Sequence, residues 1–105
     1  MARPAPLVAP VTLEDLRARR EEILRIAERC RATNVRVFGS VARGEATSES
    51  DIDFLIDSLP GHSLFDRAGL LQDLRDLLGV PVDVGAADEL RERIRSYVMA
   101  DAVAL

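Results

Sequence analysis

The residues of this sequence that could do chemistry together are three aspartates and a glycine–serine pair that precedes them. Gly39-Ser40 is followed by ten residues and then by Asp51-x-Asp53, and Asp83 lies in a later apolar segment. Side chains two positions apart on a strand point to the same face, so the carboxylates of Asp51 and Asp53 would lie close together. Such carboxylates repel each other unless a cation lies between them. If the strand of Asp83 neighbours theirs, all three acids converge.

The chemistry that these residue types suggest is transfer of a phosphorus-containing group. Three clustered acids without histidine or thiolate favour Mg²⁺ or Mn²⁺ over zinc. Gly39 allows close approach of a backbone, and Ser40 offers a hydroxyl and an amide where a turn or helix would begin, which is a setting that binds phosphate. Phosphate donors beside a carboxylate–metal cluster indicate phosphoryl or nucleotidyl transfer.

Two better-known loop motifs, the P-loop and the calcium-binding loop, do not match this stretch. Gly39 and Gly44 have the spacing of P-loop glycines, but Glu45-Ala46 stands where that loop requires Lys-Ser/Thr. A calcium loop that began at Asp51 would need a further ligand, a glycine and a glutamate at fixed positions. Those positions hold Leu55, Ile56 and His62.

The composition describes one small globular domain. The chain has 105 residues, of which 48% are hydrophobic and 30% charged, with a net charge of -4, and this balance is too apolar for a disordered chain. The acidic charge argues against a general nucleic-acid binder. All fourteen basic residues are arginine, so no lysine can act in catalysis. One cysteine, no apolar run of membrane-spanning length and no signal-peptide pattern lead us to expect a cytoplasmic protein without membrane contact.

Hydrophobic periodicity and the order of the elements predict an α/β fold, with a sheet covered by helices on one face. We expect residues 1–11 to form a flexible tail and 12–105 to form the domain. Thr12 and Ser63 have the pattern of helix N-caps, with Asp15 and Asp66 three residues on. The predicted elements, in order, are helix 13–32, strand 35–38, strand 51–57, a helix from Ser63 to Gly79, strand 80–84, and a last helix from Asp88 to the end.

The stretch Phe38-Gly-Ser-Val-Ala-Arg-Gly-Glu-Ala-Thr-Ser-Glu-Ser-Asp-Ile-Asp-Phe-Leu resembles a known family. Gly-Ser, ten residues, Asp-x-Asp and a third acid on a later strand are typical of the DNA polymerase β-like nucleotidyltransferases. Within that superfamily the stretch is similar to the minimal nucleotidyltransferase (MNT) domains, commonly encoded beside a HEPN-domain toxin. Val80–Val84 resembles the family's third-strand segment and Leu90–Arg95 its closing helix. The resemblance covers about residues 13–100. It implies the polymerase β-like nucleotidyltransferase fold, an α/β fold with a small mixed sheet backed by helices.

This resemblance implies roles for individual residues. Asp51 and Asp53 would hold two Mg²⁺ ions, or Mn²⁺, and Asp83 would hold one of them and help to activate the incoming hydroxyl. Gly39 and Ser40 would hold the β- and γ-phosphates of ATP. For Arg43 a phosphate contact and a plain surface position remain equally open, and Gly44 is expected to belong to the same phosphate-binding loop.

The resemblance also implies a partner. The chain would move AMP from ATP onto a tyrosine of a HEPN toxin and so silence it, and the two proteins would form a hetero-oligomer. Two alternatives remain open: an antitoxin that acts only by binding and occlusion, and a transferase acting on a small molecule such as an aminoglycoside. Three other residues are expected to be structural: Asp57 as a strand-end charge, His62 as a surface or capping residue, and Cys30 as part of the core.

Overall fold

A computed structural model of the chain describes residues 5–105, in which helices pack on both faces of a four-stranded sheet. The elements in chain order are α1 (Leu13–Arg17), α2 (Arg20–Arg29), β1 (Ala32–Phe38), α3 (Gly39–Arg43), β2 (Ile52–Ser58), α4 (Leu64–Leu78), β3 (Val82–Ala86), a 3₁₀ turn (Ala87–Glu89), α5 (Glu92–Asp101) and β4 (Val103–Ala104).

The sheet is mixed, as the sequence predicts. Its strand order is β3-β2-β1-β4. β1 is antiparallel to both β2 and β4, whereas β2 and β3 run parallel and are joined through α4. β3 is an edge strand, which fits Pro81 immediately before its first residue.

The larger core lies on the sheet face that α2 and α4 cover, which we call the core face. Ile52, Phe54 and Ile56 of β2 are almost completely buried there. The alternate residues Asp53, Leu55 and Asp57 therefore point to the opposite face, which we call the site face. Leu55 is fully buried on that face in a smaller cluster with Val98 of α5. The expectation that helices cover only one face is therefore wrong, because α5 packs on the other.

The first helix of the prediction is two helices. Thr12 caps α1 with a capping box to Asp15, as expected, but the helix ends at Arg17 and α2 begins at Arg20. Arg19 leaves the helical conformation, with φ -113° and ψ 20°, and its guanidinium donates to the carbonyl of Leu77 at the end of α4 (3.0 Å). The apolar spacing continues across this break, so periodicity alone indicates one helix.

Strand β1 begins three residues earlier than predicted. Arg31 adopts a left-handed conformation with φ 54°, which turns the chain out of α2. Asn34, which the predicted strand 35–38 leaves out, lies inside β1 at a shift in register between Thr33 and Arg36. A bulge of this kind adds a polar residue to a strand without ending it.

The C-terminal region also departs from the prediction. The residues around Asp88 form only a 3₁₀ turn, because the chain is extended at Leu90 and Arg91 before α5 begins. The helix ends at Asp101, and β4 then pairs with β1 through Arg36 and Val37. A two-residue strand carries no detectable alternation, so the sequence cannot indicate it.

The segment expected to be a flexible tail contacts the domain where it is described. The N–H of Leu7 donates to the carbonyl of Leu78 (2.8 Å), and Val11 is buried. Its mobility stays a prediction, and residues 1–4 lie outside the described residues. No helix between residues 5 and 105 is both long and apolar enough to cross a membrane.

The small cluster beneath α5 yields a stability prediction. Leu55→Ala should destabilise the protein by about 2–5 kcal/mol, because it leaves a cavity where α5 rests on the sheet. Leu64→Ala, at a position 84% exposed on α4, should change stability by less than about 0.5 kcal/mol. Urea unfolding followed by circular dichroism measures both. Equal losses in the two variants would contradict the packing of α5 on Leu55.

Candidate active site

The register between β2 and β3 brings two of the three aspartates together. Asp53 and Asp83 are direct partners in the parallel pairing of these strands. Partners on neighbouring strands about 4.8 Å apart point to the same side of a sheet, and Val82 points to the core face as expected. Both carboxylates therefore lie on the site face.

Asp51 approaches this pair from the segment that precedes β2. It is exposed and lies one residue before the strand begins at Ile52, not on the strand as predicted. Its charge still acts on Asp53, since it contributes to raising the pKa of that carboxyl.

Gly39 brings the Gly-Ser part of the motif into contact with the Asp-x-Asp part. Phe38, the last residue of β1, pairs with Asp53, so the following residue lies directly against that aspartate. Gly39 has φ +73°, and a Cβ built there would lie 3.3 Å from Cγ of Asp53 and would overlap its Oδ2. Only glycine allows both this left-handed backbone and this close approach.

The remaining loop residues form or end α3. Ser40 is its second residue and is partly exposed, Arg43 is its last, and Gly44 caps it with φ 74°. A Cβ at Gly44 would meet nothing within 4 Å, so Gly44 serves the backbone turn rather than a close contact with protein atoms. Its assignment to phosphate binding stays a prediction.

Arg43 is held by two carboxylates. Its Nε donates to Oε2 of Glu45 (3.0 Å) and its Nη1 to Oδ2 of Asp101 (2.6 Å). The sequence pattern indicates neither carboxylate as a partner of Arg43. The contact with Asp101 joins residues 58 apart in sequence, and no local pattern signals such a pairing.

The electrostatics of the site centre on Asp53. Desolvation by burial raises the pKa of its carboxyl, and the nearby charges of Asp83 and Asp51 raise it further, while the Arg43 guanidinium lowers it. The charged form of Asp53 is therefore disfavoured where it stands. A positive charge placed between Asp53 and Asp83 would relieve this penalty.

The donor set suits a hard cation. Asp51, Asp53 and Asp83 offer only carboxylate oxygens, which are the ligands that Mg²⁺ and Mn²⁺ prefer. Among residues 5–105, however, no three acidic, histidine or cysteine side chains lie close enough together to hold a metal ion in this conformation. Asp83 Oδ1 instead accepts a hydrogen bond from the N–H of Val84 (3.0 Å). Repulsion between like charges favours such separation.

Three other polar residues are structural, as the sequence suggests. Asp57 lies further along β2, where it accepts hydrogen bonds from Asn34 (2.9 Å) and Arg36 (2.8 Å). His62 Nδ1 contacts the carbonyl of Cys30 (2.8 Å). Cys30 is buried, and burial raises the pKa of its thiol, which makes it a poor nucleophile.

A cleft of about 530 Å³ lies between α3 and residues 10–14. Arg43 and Gly44 line it, but none of the three aspartates does. Its volume would hold a small ligand. The three aspartates and the turn at Gly39 between β1 and α3, which we call the Gly39 turn, do not line it.

Comparison with known proteins identifies the family. The sequence profile described as the nucleotidyltransferase domain matches residues 17–105. The chain belongs to the nucleotidyltransferase domain family. This nucleotidyltransferase is also 35% identical over 100 residues to a protein adenylyltransferase named MntA from Thermococcus cleftensis, with 91% of this chain and 98% of that protein covered.

Solved structures agree. A structure described as that of a minimal nucleotidyltransferase superposes with a TM-score of 0.81 at 46% identity, covering 92% of this chain and 99% of the other. A toxin–antitoxin crystal structure with AMP-PNP shares the fold, with a TM-score of 0.69 at 20% identity over 80% of this chain and 69% of that one. The resemblance and the fold class predicted from the sequence are confirmed.

The opposite pKa shifts of two aspartates on β2 yield a matched prediction for this nucleotidyltransferase. Asp53→Asn should raise the melting temperature of the metal-free protein at pH 7, because the raised pKa means that charged Asp53 destabilises the fold. Asp57→Asn should lower it, because hydrogen bonds from Asn34 and Arg36 lower the pKa of Asp57 and stabilise its charged form.

Both differences should shrink in acid. The penalty from Asp53 disappears as the pH falls through its raised pKa towards the ordinary value of 3.8, and the stabilisation from Asp57 fades as the pH falls below that value. Calorimetric melting from pH 7 to below pH 3.8 measures both. A destabilised Asp53→Asn variant at pH 7 without metal would show that the acids do not repel as described.

Proposed function

We propose that this nucleotidyltransferase moves AMP from ATP, in the presence of Mg²⁺, onto a hydroxyl of a partner protein, the toxin of a toxin–antitoxin pair. The observation that carries the proposal is the pairing of Asp53 with Asp83 directly against the Gly39 turn. The relative named protein adenylyltransferase and the toxin–antitoxin structure with AMP-PNP support the choice of nucleotide and partner. The motif's resemblance to MNT domains favours a HEPN-type toxin.

The chain's own groups have separate tasks in this reaction. Gly39 and Ser40, at the start of α3, would donate to the β- and γ-phosphates from their backbone N–H groups and the Ser40 hydroxyl. Arg43 would add a charged donor. Mg²⁺ held by Asp51, Asp53 and Asp83 would supply charge neutralisation of the phosphates.

The transfer itself exchanges one phosphorus–oxygen bond for another. The acceptor hydroxyl oxygen forms a bond to the α-phosphorus, the bond between that phosphorus and pyrophosphate breaks, and the hydroxyl proton passes to a base. Asp83 suits that task because it is exposed on the edge strand β3, within reach of an incoming acceptor. We propose the cytoplasm as the place of this reaction, since the thiol of Cys30 is unpaired.

A second candidate function is neutralisation of the toxin by binding alone. Ile94, Tyr97 and Met99 of α5 are 52%, 79% and 40% exposed, and apolar side chains presented on one helix suit contact with another protein. Neutralisation by binding does not require clustered acids, however. Variants of the aspartates can therefore distinguish the two functions.

The double variant Asp51→Asn/Asp53→Asn tests the proposal. It should still bind the partner but no longer add the mass of AMP to it, because losing transition-state charge stabilisation costs several kcal/mol, about a hundredfold or more in rate. Intact-protein mass spectrometry after incubation with ATP and Mg²⁺ measures the transfer. The matched control is Asp76→Asn/Asp88→Asn, which removes two exposed carboxylates elsewhere and should transfer normally.

In cells the same pair of variants distinguishes enzymatic modification of the toxin from neutralisation by binding alone. The double site variant should fail to protect against the toxin, whereas the control should protect. Protection by the site variant equal to that of the parent would overturn the enzymatic proposal and favour occlusion.

Two glycines with the same backbone conformation test the turn. Gly39→Ala should abolish transfer, since its Cβ would overlap Oδ2 of Asp53. Gly44→Ala carries similar backbone strain but enters open space, so it should cost about 1 kcal/mol of stability and leave transfer largely intact. Transfer assays and thermal melting on both variants measure this. Equal activity in the two variants would remove the Gly39 turn from the mechanism.

A further inference from the structure

The Arg43 side chain bridges the Gly39 turn and the C-terminal end of the molecule. It extends from the last turn of α3 to Asp101, the last residue of α5 (2.6 Å), and to Glu45 in the following loop (3.0 Å). A guanidinium has five N–H groups. These two contacts use one N–H each, so three remain for another acceptor as far as the described residues go.

Asp101 occupies a position that the helix itself disfavours. The C-terminal end of a helix carries partial negative charge, so an acid there is destabilising and a base is stabilising. The last turn of α5 contains no basic residue that could offset the charge of Asp101 from within the helix. The Arg43 guanidinium supplies the missing positive charge from another element. The contact therefore satisfies both partners, whose side chains are 44% (Arg43) and 30% (Asp101) exposed.

The backbone that carries Asp101 is anchored on both sides. Val98, one turn earlier, is buried against Leu55, and the N–H of Ala102 donates to the carbonyl of Val98 (3.0 Å). Strand β4 follows at once and pairs with β1. Glu45 offers no comparable anchor, because its side chain is 67% exposed in a loop. Of the two carboxylates, Asp101 is the one that can set the direction of Arg43.

Arg43 lies one helical turn after Gly39 on α3, and Gly39 packs against Asp53. The Arg43 charge also lowers the pKa of the Asp53 carboxyl. An anion bound at the Gly39 turn would therefore lie near the free N–H groups of Arg43.

We propose that Asp101 is a positioning residue, which holds the Arg43 guanidinium beside the Gly39 turn so that its free N–H groups bind the triphosphate of the nucleotide. This inference rests on the proposed function for the identity of the anion. It assigns the end of α5 and strand β4 a part in nucleotide binding as well as in folding.

Calorimetric titration with Mg-ATP and with inorganic tripolyphosphate tests the proposal without requiring transfer. Arg43→Ala should weaken both ligands about tenfold or more, as expected for loss of a charged hydrogen bond. Asp101→Ala should weaken both several-fold. Asp101→Asn should fall between Asp101→Ala and the parent, because its amide oxygen can still accept from Nη1 but the bond is no longer charge-assisted.

A double-mutant cycle separates positioning from a merely structural role. If Asp101 acts through Arg43, then Asp101→Ala and Asp101→Asn should change affinity no further in the Arg43→Ala background. AMP, which lacks the β- and γ-phosphates, should bind all variants alike. Glu45→Gln is the control and should bind as the parent does, since its carboxylate lies on an exposed loop.

Other outcomes would overturn the inference. Additive losses from Asp101 and Arg43 variants, or unchanged affinity in Asp101→Ala and Asp101→Asn despite altered melting temperatures, would mean that Asp101 only ties α5 to α3. A parent that binds both ligands but transfers no AMP would contradict the proposed function and leave this inference standing. A parent that binds neither ligand would overturn both.

Discussion

The parallel register of β2 and β3 is the constraint on which the rest of the site depends. It is set by alternate residues of both strands entering the core, with Ile52 opposite Val82 and Phe54 opposite Val84. A slip of one residue would expose these side chains and bury their polar neighbours. The hydrophobic effect on the core face therefore forces Asp53 and Asp83 together on the site face, where their charges oppose each other.

The elements packed around this pair contribute to the site in different ways. Gly39 brings the start of α3 into contact with Asp53, and Arg43 at the other end of α3 contributes a positive charge. Asp101 ties that arginine to α5, which itself rests on Leu55 of the same strand as Asp53. The family's chemistry and the packing of the C-terminal segment thus share one face of the sheet.

Local patterns predicted most of this arrangement. Some features can be recognised from residues that are close together in the sequence. They are the capping boxes at Thr12 and Ser63, the glycine that ends α4 and the alternation along β2. The break at Arg19, the bulge at Asn34, strand β4 and the Arg43–Asp101 pair depend on contacts between distant segments, and periodicity carries no information about those. For the same reason the sequence indicated that Asp53 and Asp83 would meet only if their strands were neighbours.

The most direct test of the account locates the bound metal–nucleotide by NMR. With Mn²⁺ and a non-hydrolysable ATP analogue added to the isotope-labelled protein, paramagnetic broadening should centre on the backbone amides of Gly39, Asp53 and Asp83. Asp57, which lies on the same face but further along β2, should be affected much less. Broadening centred on residues 10–14 in the cleft beside α3, or around Asp57 and Asp88, would contradict the claim that the paired strands β2 and β3 and the Gly39 turn form the active site.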